Sequence, residues 1–215
     1  MITPKVDRAV IGWRFWLWWM VASVVGSGAG VLLWLASGIV LEAAGVNIDS
    51  PRTVFGALFP GVVGAAFGTP FGIAQWLVLR RQVGRAGWWV LATSLGYVVV
   101  FLLGTSLFPR GNALELGFAE QVLLGTVLGA MVSVPGGILQ WLMVLRRQVA
   151  QAGWWVLASV VSWAVGFAIS FALRVTLGGL FFVAGVVVAL ALTGLAMVWL
   201  LRRPAPSEAK RATAV

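Results

Sequence analysis

The stretch Gly72–Ala92, GIAQWLVLRRQVGRAGWWVLA, returns at Gly137–Ala158 as GILQWLMVLRRQVAQAGWWVLA, with one extra residue between the Trp and the Arg pair. Each copy closes one apolar run, crosses a short basic loop and opens the next run. A third copy is split across the chain: WWMVAS at Trp18 matches WWVLAT at Trp88 and WWVLAS at Trp154, and VWLLRR at Val198 ends the last run. A chain built this way folds as repeated hairpins, each leaving from a Trp pair and returning to an Arg pair.

The runs have to be helices in a membrane. They are 20 residues or longer, about what a helix needs to span hydrocarbon. Only 10% of the 215 residues are charged, where a soluble domain carries about 25%. Hydrocarbon leaves no water for open backbone groups, so each span satisfies its own as a helix. The reading is an all-α integral membrane protein with six transmembrane helices near Phe15–Leu41, Thr53–Leu79, Trp88–Phe108, Gln121–Leu145, Trp154–Leu173 and Gly178–Leu201. They form three parallel-repeat hairpins over about 13–81, 82–147 and 148–203, within one domain spanning 1–203. The segment 204–215, rich in Pro, Ala and charge, reads as a disordered cytoplasmic tail. The basic start resembles a signal peptide, but the first run is too long and carries the repeated Trp pair, so it is read as a retained helix. Parallel repeats place any pseudo-symmetry axis along the membrane normal. A closed ring and a side-by-side row both satisfy the sequence.

Charge sets the orientation. Lys5, Arg8, Arg14, Arg80, Arg81, Arg85, Arg146, Arg147, Arg202, Arg203, Lys210 and Arg211 fall on one side, and Arg52, Arg110 and Arg174 on the other. The positive-inside rule then puts both termini and both Arg-rich loops on the cytoplasmic side. The acids Glu42, Asp49, Glu115 and Glu120 fall in the outer loops, consistent with this orientation. Because the cations sit at span ends, the net charge of +9 reports topology and not nucleic-acid binding.

Composition removes most chemistry. The chain has no Cys and no His, which excludes disulfides, thiol chemistry, Cys/His zinc sites and His-ligated haem. None of the six carboxylates lies deep in a span, and no nucleophile–base pair appears, so no enzyme, catalytic residue or metal site is read. No cofactor is indicated beyond lipid or a pigment held without His.

Small residues four apart mark every span: Ala22/Gly26/Gly30, Gly64/Gly68/Gly72, Ala92/Gly96 with Gly104, Gly125/Gly129/Ser133/Gly137, Ala158/Ser162/Gly166/Ser170 and Gly185/Ala189/Thr193. In lipid such stripes let backbones approach where the hydrophobic effect is absent. Gln75 lies about 20° from Gly68 around its helix, and Gln140 stands in the same relation to Ser133. Each is read as interhelical glue, with a polar path lining as the alternative. Pro70 and Pro135, five residues earlier, free the carbonyls of Ala66 and Met131 and are expected to kink their helices. Neighbours such as Thr69 or Ser133 are the expected repair. In the third repeat Met197 and Leu192 replace this Gln and Pro.

Eleven of the 13 Trp lie near the cytoplasmic ends of spans, where indoles anchor helices at headgroups. With Arg80, Arg81, Arg146 and Arg147, the residues Trp76, Trp88, Trp89, Trp141, Trp154 and Trp155 are candidates for binding anionic lipid headgroups. The repeated elements that run from Gln-Trp to Leu-Arg-Arg, with GWWVLA, resemble those of uncharacterised multi-span bacterial membrane proteins, a resemblance that implies a bacterial inner membrane and carries no activity or site. The expected function is a structural or accessory subunit that packs against other membrane proteins, or itself, and binds lipids or pigments. The alternative is a transporter or channel for a neutral or lipid-like small molecule.

Overall fold

The structure is a computed structural model that describes residues 11–45, 54–107, 116–177 and 180–203. The expectations for Lys5, Arg8, Asp49, Arg52, Arg110, Glu115, Lys210, Arg211 and the 204–215 tail lie outside these residues. The described chain forms six helices: α1 (Trp13–Ala43), α2 (Val54–Leu79), α3 (Trp88–Leu107), α4 (Phe118–Gln140), α5 (Trp154–Leu177) and α6 (Phe181–Arg202). Five are long and apolar enough to cross a membrane, and α3 is a shorter apolar helix. Its 20 residues rise about 30 Å, close to the thickness of the hydrocarbon core.

The extra residue of the second repeat has a definite place. After Gln140 the helix opens into one π turn, Trp141–Leu145. Arg146 N–H bonds Trp141 O at 2.9 Å, a span of five residues. One π turn absorbs one inserted residue and leaves the helix before and after it on its original face. Gln140 and the Arg146/Arg147 pair therefore keep the relation that Gln75 has to Arg80/Arg81.

Each helix packs against its neighbours in chain order, and α6 returns to α1, so the hairpins close into a ring. Most seams bring backbone onto backbone at glycine. A Cβ on Gly64 would lie 2.6 Å from Tyr97 O between α2 and α3, and one on Gly30 would lie 2.7 Å from Phe67 O between α1 and α2. Gly129 presses on Trp163 O between α4 and α5, and Gly96 would meet Gly136 Cα at 2.6 Å between α3 and α4. These contacts replace hydrophobic drive with dispersion, which rises steeply with proximity.

The α6–α1 seam is built differently. Gly194, equivalent to Gly72 and Gly137 by its offset from the Arg pair, faces indole carbons of Trp19 (2.8 Å) and Trp16 (3.0 Å) instead of backbone. Trp16 occupies the place that Ala86 and Ala152 hold in the other repeats. Its ring wedges the seam, and its Nε1–H donates to Ala191 O at 3.0 Å. Beyond it α1 leaves the bundle: Val31 to Ala36 are exposed at six consecutive positions, hence on every side of the helix.

The large buried side chains gather at the Arg-rich end, from equivalent positions of the repeats: Leu79, Leu145 and Leu201; Val83 and Val149; Ala86 and Ala152. Hydrogen bonds lace that end together. Gln148 Nε2 donates to Gly84 O (2.6 Å), Arg203 Nη1 donates to Gln151 Oε1, and Arg202 Nε donates to Ile11 O (2.7 Å). Both loops turn through a left-handed residue at the same place, Arg85 (φ 54°) and Gln151 (φ 56°).

Candidate functional site

Each Trp pair divides its labour. The first indole faces outward: Trp18, Trp88 and Trp154 are 63%, 50% and 52% exposed. The second lies one turn before the small stripe of its helix and faces the ring axis. Trp19, Trp89 and Trp155 meet there with centroids 6.0, 6.2 and 5.4 Å apart, at interplanar angles of 77°, 83° and 58°. Such edge-to-face and tilted contacts suit the ring quadrupole. The triad fills the axis at the Arg-rich end.

Buried indole N–H groups need acceptors. Trp89 Nε1 donates to Gln75 Oε1 at 2.9 Å, and Trp155 Nε1 donates to Gln140 Oε1 at 2.9 Å. An indole only donates, so the amide oxygen must face it and the amide nitrogen must face away. Gln75 Nε2 accordingly donates to Ser23 Oγ (3.2 Å), and Gln140 Nε2 donates to Thr93 Oγ1 (3.0 Å). Thr93 sends its own proton to Trp89 O, which leaves its lone pairs for Gln140. Gln75 on α2 thus ties α1 to α3, and Gln140 on α4 ties α3 to α5. This is a repeated polar network of three-helix ties.

The third position breaks the pattern. Ser23, Thr93 and Ser159 each stand four residues after their axial Trp, and Met197 stands where a third Gln would. A thioether is a weak acceptor and no donor. Trp19 Nε1 and Ser159 Oγ, the two atoms a third carboxamide would join, are buried without a partner. A cavity of about 50 Å³ adjoins the network, lined in part by Trp19, Gln75, Thr93, Gln140, Ser159 and Thr193.

Other expected site residues are placed as follows. Trp89 and Trp155, read from sequence as headgroup ligands, are 0% and 2% exposed and belong to the core. They cannot reach headgroups. Trp76 and Trp141 are half-buried against that core, with the Arg80 guanidinium 5.6 Å over the Trp76 ring. Arg81, Arg146 and Arg147 are exposed at the same end. Pro70 and Pro135 sit inside unbroken helices, α2 and α4. The expected repair does not come from the hydroxyls named for it. Ser94 donates to Val90 O and so accepts from Thr69 across the α2–α3 seam at 2.9 Å, while Ser133 donates to Ala130 O. Among the described residues no group of His, Cys, Asp or Glu could hold a metal.

Helix length, apolarity and the glycine seams define a multi-pass integral membrane helical protein. Comparison with family models, with curated proteins and with solved structures finds no match.

Proposed function

We propose that the protein is a non-catalytic structural or accessory subunit of a bacterial inner membrane, one that packs against other membrane proteins and holds anionic lipids at its cytoplasmic end. In this reading all six helices span, α3 included, and both termini are cytoplasmic. The observation that carries it is the use made of the polar interior. Gln75 and Gln140, the residues best placed to line a path, are each fixed by an indole donor and a hydroxyl acceptor on two other helices. The axis they face is filled by the Trp triad.

Two features support the outward-facing part. The all-round exposure of Val31–Ala36 gives α1 an apolar half suited to lipid or to a neighbouring membrane protein. The outward indoles Trp88 and Trp154 stand at the same end as exposed Arg81, Arg146 and Arg147, the pairing of amphipathic ring and guanidinium that headgroup phosphates favour. The cavity beside the glutamines, about 50 Å³, is far below the roughly 300–1,000 Å³ of a ligand pocket, so this reading seats any pigment on the outer surface. The test is gentle purification from the native membrane. Co-purifying membrane proteins and anionic lipid are expected. A chain that elutes alone and lipid-free, from cells with a small-molecule uptake or export defect on deletion, would favour the transporter reading.

A further inference from the structure

The first two repeats define the chemistry that the third lacks. At each of their axial positions a primary carboxamide accepts from an indole and donates to a hydroxyl. At the third, the indole of Trp19 is 0% exposed and Ser159 is 4% exposed, both residues border the cavity, and Trp19 Nε1 and Ser159 Oγ are buried with no partner. A buried donor left unpaired is costly, about 1–3 kcal/mol, and is rare in folded proteins. The cavity's size limits what can answer it. About 50 Å³ admits a few waters, each needing roughly 10–15 Å³ on this measure, or a molecule of a few heavy atoms. No charged side chain lines it, so an ion would enter without compensation for its lost hydration.

We propose that this cavity is a binding site for a small uncharged hydrogen-bonding molecule, a water or a short primary amide. It is held by Trp19 Nε1–H and Ser159 Oγ, the two groups that a glutamine serves in the other repeats, while the glutamine's own place is filled by Met197. The ligand presents an oxygen to the indole and exchanges a second hydrogen bond with the serine. Aliphatic molecules of the same size lack the acceptor and are not retained. The site stands whether or not the protein is an accessory subunit, because it rests on the unmatched third repeat alone.

The test uses the full chain in detergent, labelled with 15N at the indoles, with the Trp19 resonance assigned from its loss in Trp19→Phe. One arm looks for a cross-peak between Trp19 Nε1–H and water. The other titrates formamide and follows Trp19 beside Trp89 and Trp155. A water cross-peak without a formamide response assigns the site to water. A saturable formamide shift confined to Trp19 assigns it to an amide. Either upholds the proposal, and Met197→Gln should abolish both by giving the indole and the serine an amide of the chain's own. If that variant does not fold, Ser159→Ala serves: it should weaken the formamide midpoint about fivefold, the loss of one neutral hydrogen bond, or remove the water cross-peak. Neither signal in the wild type, or a signal unchanged in the variant, overturns the proposal.

Discussion

Replacing Met197 with Gln should stabilise the protein, an uncommon result for a polar residue introduced into a membrane helix. Met197 is fully buried at the position equivalent to Gln75 and Gln140, and the two side chains are both unbranched and of similar reach. The new amide would accept from Trp19 Nε1 and donate to Ser159 Oγ, as its counterparts do with Trp89 and Ser23 and with Trp155 and Thr93. Two interhelical hydrogen bonds in a membrane protein contribute about 0.6 kcal/mol each on average, and up to roughly 1.7. Against them stands the desolvation of the amide, about 1–3 kcal/mol when unpaired and largely recovered when both ends are bonded. Where a bound water serves the two groups, the amide takes over its hydrogen bonds and releases it at a gain of about 0–2 kcal/mol in entropy. The net expectation is a gain of about 1–2 kcal/mol, or roughly 2–8 °C in Tm for a chain of this size. Gln75→Met is the mirror experiment and should lose about 2 kcal/mol by stranding Trp89 Nε1 and Ser23 Oγ. Melting in detergent, followed by near-UV circular dichroism of the Trp triad, measures both. A Met197→Gln protein destabilised as much as Gln75→Met would refute the claim that the third slot is shaped for a carboxamide.

Gly129→Leu should be far more damaging than Leu123→Ile on an exposed face, because any side chain at Gly129 runs into the Trp163 carbonyl; equal melting of the two variants would count against the glycine seams. A reporter fused after Val215 should read as cytoplasmic, and an external reading would reverse the orientation assigned from the basic residues. Adding anionic lipid should raise the Tm of the wild type, by about 2.7 kcal/mol of stabilisation at a hundred times the Kd. Changing Arg80, Arg81, Arg146 and Arg147 together to Gln should remove most of that rise, while an unchanged response would place the lipid elsewhere.

The helices were legible from sequence because hydrocarbon forces long apolar runs to be helical, and their bounds moved by only a few residues. The glycine stripes were legible for a related reason: in lipid, close approach needs small residues, and Gly64, Gly68, Gly125 and Gly129 do lie at seams. The inward direction of Gln75 and Gln140 followed from their angle to those stripes. The roles of Trp89 and Trp155 did not. Interfacial Trp near Arg is so common an anchor that the sequence alone groups each pair into one belt. Yet Trp19, Trp89 and Trp155 each precede small stripe residues by three and by seven positions, a spacing that places them on the inner face. Ring closure was out of reach as well, because it depends on Trp16 wedging a seam that the repeat pattern would have given to alanine.

The central claim is that the buried glutamines hold the helices together and do not line a route through them. Gln75→Leu/Gln140→Leu tests it most directly, since it removes both ties, strands the indole N–H groups of Trp89 and Trp155, and takes from Ser23 and Thr93 the amide donors they accept from. The measurement is melting and co-purification of the double variant beside the wild type, with small-molecule uptake and export followed in the same cells. The account predicts a loss of at least about 2 kcal/mol, summed from the stranded groups, and dissociation from membrane partners. A double variant that melts like the wild type, stays assembled and is defective in uptake or export would contradict it.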